Sequence, residues 1–202
     1  MARRLTPRGK ERREQLMEVA TRLFAQKGYH RTSVADVCDT CGVGKGVFYW
    51  YFDSKEALFN AILAGALHDL RRTQQRAIEP SPDPIERVTA GIEASLDFLA
   101  ANDDLFNLID FAGTDAHFSP VVRHGIDVVV DDTTRHLKEA IAQGAIPDAD
   151  PYFLAHGITT ITLTFVRRFL HRGSAEGTVD AVAVGRAAVA FCLHGIGLAA
   201  ED

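Results

Sequence analysis

The stretch Ser33-Val34-Ala35-Asp36-Val37-Cys38-Asp39-Thr40-Cys41-Gly42-Val43-Gly44-Lys45-Gly46-Val47-Phe48-Tyr49-Trp50-Tyr51-Phe52 decides how this chain folds. It divides into a helix near residues 33–40, a tight turn, and a second short helix near 44–51. Val34, Val37 and Cys38 supply the inner face of the first helix. Gly42 permits the turn, Val43 anchors it, and Val47 or Phe48, with Phe52, seats the second helix on the first. Two helices crossing over a short Gly-containing turn form a helix-turn-helix. A plain αα-corner uses the same packing residues, so the outward set separates the two readings. Lys45, Tyr49, Tyr51 and Lys55, with Ser33 or Thr32 opening the preceding helix, point away from the packed face. They are cations and hydroxyls, the groups that neutralise phosphates and fix register on a duplex. A helix this slim fits the major groove. Gly44 and Gly46 each lower helix propensity by about 1 kcal/mol. Close approach to DNA offsets that loss; glycines at a frayed helix start are the alternative.

Outward from this stretch the pattern stays helical. A first helix near 9–27 lines up Leu16, Val19, Ala20, Leu23 and Phe24 on one face and stops at Gly28. Another starts near Ser54, a residue suited to an N-cap, and carries Leu58, Phe59, Ile62, Leu63, Ala66, Leu67 and Leu70. Three prolines within Pro80-Ser81-Pro82-Asp83-Pro84 cannot lie inside a helix and mark a turn. Asp83 then caps a helix with the stripe Ile85, Val88, Ile92, Leu96 and Leu99. A short helix near 103–112 follows, then a long one from Ser119-Pro120 to Gly144. The last two, near 150–172 and 177–200, are apolar around most of their circumference and must be covered on more than one side. The expected fold is all-α, with about nine helices.

The charge is divided along the chain. Of 22 Lys+Arg and 27 Asp+Glu, residues 1–55 hold 11 and 6, leaving 11 and 21 for residues 56–202. A basic first quarter on an acidic remainder suits a protein that approaches a polyanion with one end. Three cysteines, an odd number, do not make a secreted disulfide framework, and no apolar run of signal-peptide length opens the chain. The expected location is cytoplasmic. Residues 181–200 hold a single formal charge, Arg186, but an arginine in a lone span costs about 2.5–3.5 kcal/mol on insertion scales, so no membrane partner is expected.

In these segments the chain resembles the TetR family of repressors. The family's first helix ends in a Phe-rich stretch with Gly-Tyr, here Leu23-Phe24-Ala25-Gln26-Lys27-Gly28-Tyr29. Its second begins with a Thr pair and an Ile-Ala core, here Thr32-Ser33 and Val37-Cys38. The turn and recognition helix are Cys41-Gly42-Val43-Gly44-Lys45-Gly46 and Tyr49-Trp50-Tyr51-Phe52, followed by Ser54-Lys55-Glu56-Ala57-Leu58. The resemblance covers residues 10–63. It implies a DNA-binding domain over residues 1–54, built as a three-helix helix-turn-helix, and a helical ligand-binding and dimerisation domain over residues 55–202. Lys45, Gly46 and Val47 are implied to lie against bases. Tyr49, Tyr51, Lys55 and the Thr32-Ser33 cap are implied to hold phosphates. Two departures stand out: Gly44 replaces a common serine, and Val47 replaces a frequent Thr or Ser, leaving an apolar contact suited to a thymine methyl. Arg3, Arg4, Arg8, Lys10, Arg12 and Arg13 add either phosphate contacts or a solvated tail.

The implied function is a ligand-responsive transcriptional regulator and not an enzyme, since no nucleophile-base motif or phosphate loop occurs. It acts as a repressor that binds a palindromic double-stranded DNA operator as a homodimer through its last two helices. A small-molecule effector, apolar or aromatic, releases it. Phe98, Phe106, Asp110, Phe111, His156 and Phe165 are the candidate lining of the effector space, with ordinary core packing as the other reading of each phenylalanine. Cys38 and Cys41 occupy small buried positions of the family pattern and are read as packing residues, with a thiol switch as the alternative. Zinc lacks a second pair of ligands, and neither a metal nor a cofactor is expected.

Overall fold

The computed structural model describes residues 5–171 and 181–196, and every regular element among them is helical. The α-helices are α1 (Pro7–Lys27), α2 (Val34–Cys41), α3 (Lys45–Tyr51), α4 (Lys55–Ile78), α5 (Pro84–Ala101), α6 (Asp103–Thr114), α7 (Ser119–Ala142), α8 (Pro151–Phe165) and α9 (Ala181–Gly195). The all-α expectation holds, with nine α-helices among the described residues. The final helix, expected over 177–200, is seen over Ala181–Gly195; residues 172–180 and 197–202 lie outside the described residues.

The helices start and stop for local reasons. Thr6 accepts the Gly9 N–H ahead of Pro7. Ser54 accepts the Ala57 N–H, and Asp83 and Asp150 each accept two N–H groups with proline next in line. Each oxygen satisfies a donor that has no partner within its own helix. After α8 the chain winds on through a π-helical turn, Val166–His171.

The chain falls into two compact units. The first takes the chain up to Ala66 together with Asp104–Val122. Its core joins Leu16, Val19, Leu23 and Phe24 of α1 to Val37 and Cys38 of α2, Phe48 of α3, and Phe52. The head expected to end at residue 54 draws in more chain than that, because Leu58, Phe59, Ile62 and Leu63 of α4 are equally buried and complete the same unit.

The second unit holds Leu67–Asp103 and the chain from Arg123 onward. Within it α5 packs on α8 and α9, and α8 packs on α9. Gln74 of α4 donates to Ser95 of α5 at 2.8 Å, and Arg71 pairs with Asp132 of α7 at 3.1 Å. Gly125 lets α7 come close to α4: a Cβ there would stand 2.8 Å from Leu67.

Candidate nucleic-acid interface

The short helices α2 and α3 are fixed by their ends. At the start of α2, Ser33 Oγ accepts the Asp36 N–H, while the Ser33 N–H donates to Asp36 at 2.7 Å, forming a capping box. The Ser33 hydroxyl and N–H hold the Asp36 carboxyl below the usual carboxylate range, helped by Lys27 at 3.7 Å. At the end of α2, Gly42 adopts φ 64°, ψ 37°. This left-handed conformation lets the Val43 N–H reach the Cys38 carbonyl at 3.0 Å and the Gly42 N–H reach that of Asp39, a Schellman closure. A side chain at residue 42 would be strained at that φ whatever the space. The chain then enters α3 at Gly44, which caps with no side chain and leaves the first turn of α3 open.

Phe48, fully buried, pins α3 to the core, so Phe48 rather than Val47 is the seating residue. Opposite it lies an exposed arc of Lys45, Gly46, Val47, Tyr49 and Trp50, with Tyr49 54% and Trp50 48% exposed. Ser33 is also exposed. Trp50 is a residue that the sequence reading passes over. Its spacing of four from Gly46 and three from Val47 puts it on the outward arc of any 3.6-residue helix, which is the signal that finds it. Tyr51 is half-buried and turned toward the start of α1, its hydroxyl 3.7 Å from where a Cβ on Gly9 would stand. Arg8 and Lys10 nearby are exposed, whereas Arg13 lies over the Phe52 ring at 5.0 Å; Arg3 and Arg4 lie outside the described residues.

Two expected phosphate contacts point elsewhere. Thr32 is 1% exposed, and its hydroxyl donates to the carbonyls of Leu23 and Gly28 at 3.2 and 2.9 Å. Lys55 aims its ammonium inward, donating to the carbonyls of Tyr29 and Thr32 at 2.8 and 2.9 Å over the Tyr29 ring. Burial pushes its pKa below the ordinary lysine value. Both side chains tie down the carbonyls where α1 ends and the next loop begins, that of Tyr29 also accepting the Thr32 N–H at 3.4 Å.

An exposed arc of lysine, glycine, valine, tyrosine and tryptophan on a helix-turn-helix is the geometry of a DNA reader, and the family model for bacterial regulatory proteins of the tetR family matches residues 16–62. The chain's DNA-binding head, residues 16–62, is that of the TetR family. Over 178 residues it is 28% identical to the HTH-type transcriptional activator FasR of Mycolicibacterium smegmatis, covering 84% of this chain and 80% of that protein. It is 26% identical over 197 residues to the transcriptional repressor KstR2 of the same organism, covering 92% and 90%. A TetR-family regulator from Syntrophomonas wolfei superposes with a TM-score of 0.79 at 22% identity, covering 96% of this chain and 99% of its own. The chain is a transcriptional regulator with a TetR-family, DNA-binding helix-turn-helix.

The six candidate effector residues fall in both units of the chain. Phe106, Asp110 and Phe111 of α6 belong to the first, and Phe98, His156 and Phe165 to the second. Phe106 is buried; Phe98, Asp110, Phe111, His156 and Phe165 are half-buried. His156 meets Tyr152 edge-on at 4.6 Å, and Phe165 lies 5.4 Å from Phe169 and 6.4 Å from Phe191.

Cys38 and Cys41 are 2% and 8% exposed, and burial pushes both thiols above the usual range. That environment fits packing better than redox sensing, which needs an accessible thiolate. His117 pairs with Glu56, and His30 lies 4.0 Å from Asp115. Among the described residues no group of three His, Cys, Asp or Glu is placed to hold a metal ion, and no helix is long and apolar enough to cross a membrane.

Proposed function

We propose that this regulator binds a palindromic double-stranded DNA operator as a homodimer and leaves it when a small apolar or aromatic effector binds. The observation that carries the proposal is the outward arc of α3 opposite Phe48. Lys45, Gly46 and Val47 would meet base edges, while Ser33, Tyr49, Tyr51 and Trp50 hold phosphates through hydroxyl and indole donors. In a two-fold dimer the paired recognition helices enter successive major grooves about 34–36 Å apart. Repression is preferred to activation because KstR2, matched over more of both chains, is named a repressor, although FasR is named an activator.

Dimerisation through the last two helices is supported by their exposed residues. On α8 these include Phe153, Gly157, Thr160 and Thr164; on α9 they include Ala183, Ala187, Ala190 and Phe191. Both stripes follow helical spacing; that of α8 carries no charge, and Arg186 is the one exposed formal charge beside that of α9 among the described residues. Such surfaces are buried in homodimers, where the same patch meets itself across the axis. Release by an effector requires an affinity that differs between the DNA-competent and incompetent states. Phe98, His156 and Phe165 keep an aromatic effector in view within the second unit, and α4, one continuous helix, belongs to both units.

The test begins by selecting genomic fragments that the full-length protein retains, followed by anisotropy titrations over a range of salt. Lys45→Ala with Tyr49→Ala should abolish retention while dimer mass stays unchanged. Removing a single cation–phosphate pairing lowers the slope of log affinity against log salt by about 1. Undiminished binding by the double variant refutes the proposal.

A further inference from the structure

The first unit contains a cleft of about 460 Å³ whose lining, Phe111 apart, has no functional role above. Its sides come from the end of α1, the loop after it, and α4 and α6, all within that unit. The volume suits a small molecule. Leu108 forms part of a buried apolar floor, 3% exposed. Tyr29 and Phe111 stand above it half-buried, their ring planes 29° apart and centroids 5.9 Å apart. Tyr29 cannot swing freely, since Phe59 and Phe118 crowd it at 4.8 and 5.0 Å and the Lys55 ammonium sits 4.2 Å from its centroid. Tyr29 thus backs Phe111, which Phe59 also holds edge-on at 5.9 Å, and a half-buried ring fixed in this way meets a flat ligand with no ordering on binding.

The rim is polar and cationic. Arg31 and Asn107 are exposed there, and Arg31 makes no ion pair among the described residues. No carboxylate lines the cleft; Asp115 and Glu56, whose charges reach Tyr29, lie outside the lining and contact His30 and His117. An aromatic ring and an exposed guanidinium lining one cleft select a planar ring bearing an anionic group, because the fork of Arg matches a carboxylate and the ring faces match each other. The geometry points to this cleft as a binding site for a small aromatic carboxylate. Of the six residues expected to line the effector space it shares only Phe111, while Phe98, His156 and Phe165 are in the second unit, and it does not depend on the DNA-binding proposal. An occupant would bridge α6 to the loop that leads directly into Thr32 and Ser33, the start of α2.

The experiment is isothermal titration calorimetry of the full chain with 2-naphthoate, and with the cation 2-naphthylmethylammonium as the charge-reversed probe. Naphthoate should bind once per chain and at least tenfold more tightly than the cation. Arg31→Gln should remove that preference, and Ala25→Leu, which places an isobutyl group in the cleft, should abolish binding. Asn107→Phe blocks from the exposed rim and serves if Ala25→Leu lowers the melting temperature. Failure of wild type to bind naphthoate, or wild-type affinity in both blocking variants, overturns the site. Blocking without any effect of Arg31→Gln overturns the carboxylate assignment. None of these readouts involves DNA, so they stand apart from the operator test.

Discussion

Lys55 shows how a single side chain can be misassigned from sequence. Its position four residues after Tyr51 places it at the recognition end of the head, where a cation is expected on phosphate. In the structure its ammonium donates to the carbonyls of Tyr29 and Thr32 instead. Hydrogen bonds from a charged group contribute about 1.5–3 kcal/mol net. Lys55→Met should therefore lower unfolding free energy by about that amount, read by urea denaturation, while operator affinity of the folded protein stays near wild type. Lys45→Ala should do the reverse, leaving stability alone and weakening DNA binding. A Lys55→Met protein of full stability but poor DNA affinity would return the ammonium to a phosphate. Periodicity reports which face of a helix a residue occupies, and it places Lys45 and Tyr49 correctly toward solvent while leaving Val47 and Phe48 as alternatives for the core. It does not report where a long flexible stem bends. Thr32 is misread for a related reason: Ser33, not Thr32, is the N-cap, and a hydroxyl one residue earlier turns back to bond the end of α1.

At the scale of the element, α2 and α3 differ in how their first turns are satisfied. The Ser33–Asp36 box is strongest with an ionised carboxylate, which both Ser33 donors favour. The native pKa of Asp36 is depressed below its unfolded value, so the folded state binds fewer protons over that interval. The stabilisation is present above about pH 4 and is lost as pH falls through the native pKa. Asp36→Asn should separate from wild type in urea midpoint at about pH 6, and the gap should narrow progressively as pH falls below about 4. A gap that persists in acid would place its origin outside the box.

Helix α3 carries the opposite arrangement. Gly46 has nothing within 4 Å of where a Cβ would stand, so Gly46→Ala should stabilise the head by about 1 kcal/mol through helix propensity. The same methyl faces the duplex and should weaken operator binding. Calorimetric melting and anisotropy titration together read the two signs. A variant gaining stability with unchanged DNA affinity would show that the glycine is a frayed start and nothing more. The helix-turn-helix is legible in sequence because Gly42, Phe48 and the Ser33 cap are each dictated by local backbone chemistry. The extent of the head is not, since Leu58, Phe59, Ile62 and Leu63 carry the same stripe whether α4 packs on the head or elsewhere, and periodicity does not name the partner.

At the scale of the whole molecule, the largely apolar stripes on α8 and α9 are what a monomer would leave in water. Sequence already marks these helices as apolar nearly all round. The structure adds which residues remain uncovered: Ala183, Ala187 and Ala190 are exposed on α9, beside the buried Ala188, Val189 and Cys192. Exposed positions accept glutamate with little change in helix propensity. Ala187→Glu with Ala190→Glu should therefore leave the fold of the single chain intact. In a two-fold dimer the same substitutions bring four carboxylates to one interface against one Arg186 from each chain, and burying the excess like charge there is strongly unfavourable. Analytical ultracentrifugation should show the mass fall from twice 22.1 kDa to 22.1 kDa, with helical circular dichroism unchanged. Operator binding should weaken in step, because each head then engages its half-site alone and the second contact no longer benefits from tethering. A variant that stays dimeric would move the interface to another face, and a monomer that kept full operator affinity would remove the dimer from the mechanism of DNA binding.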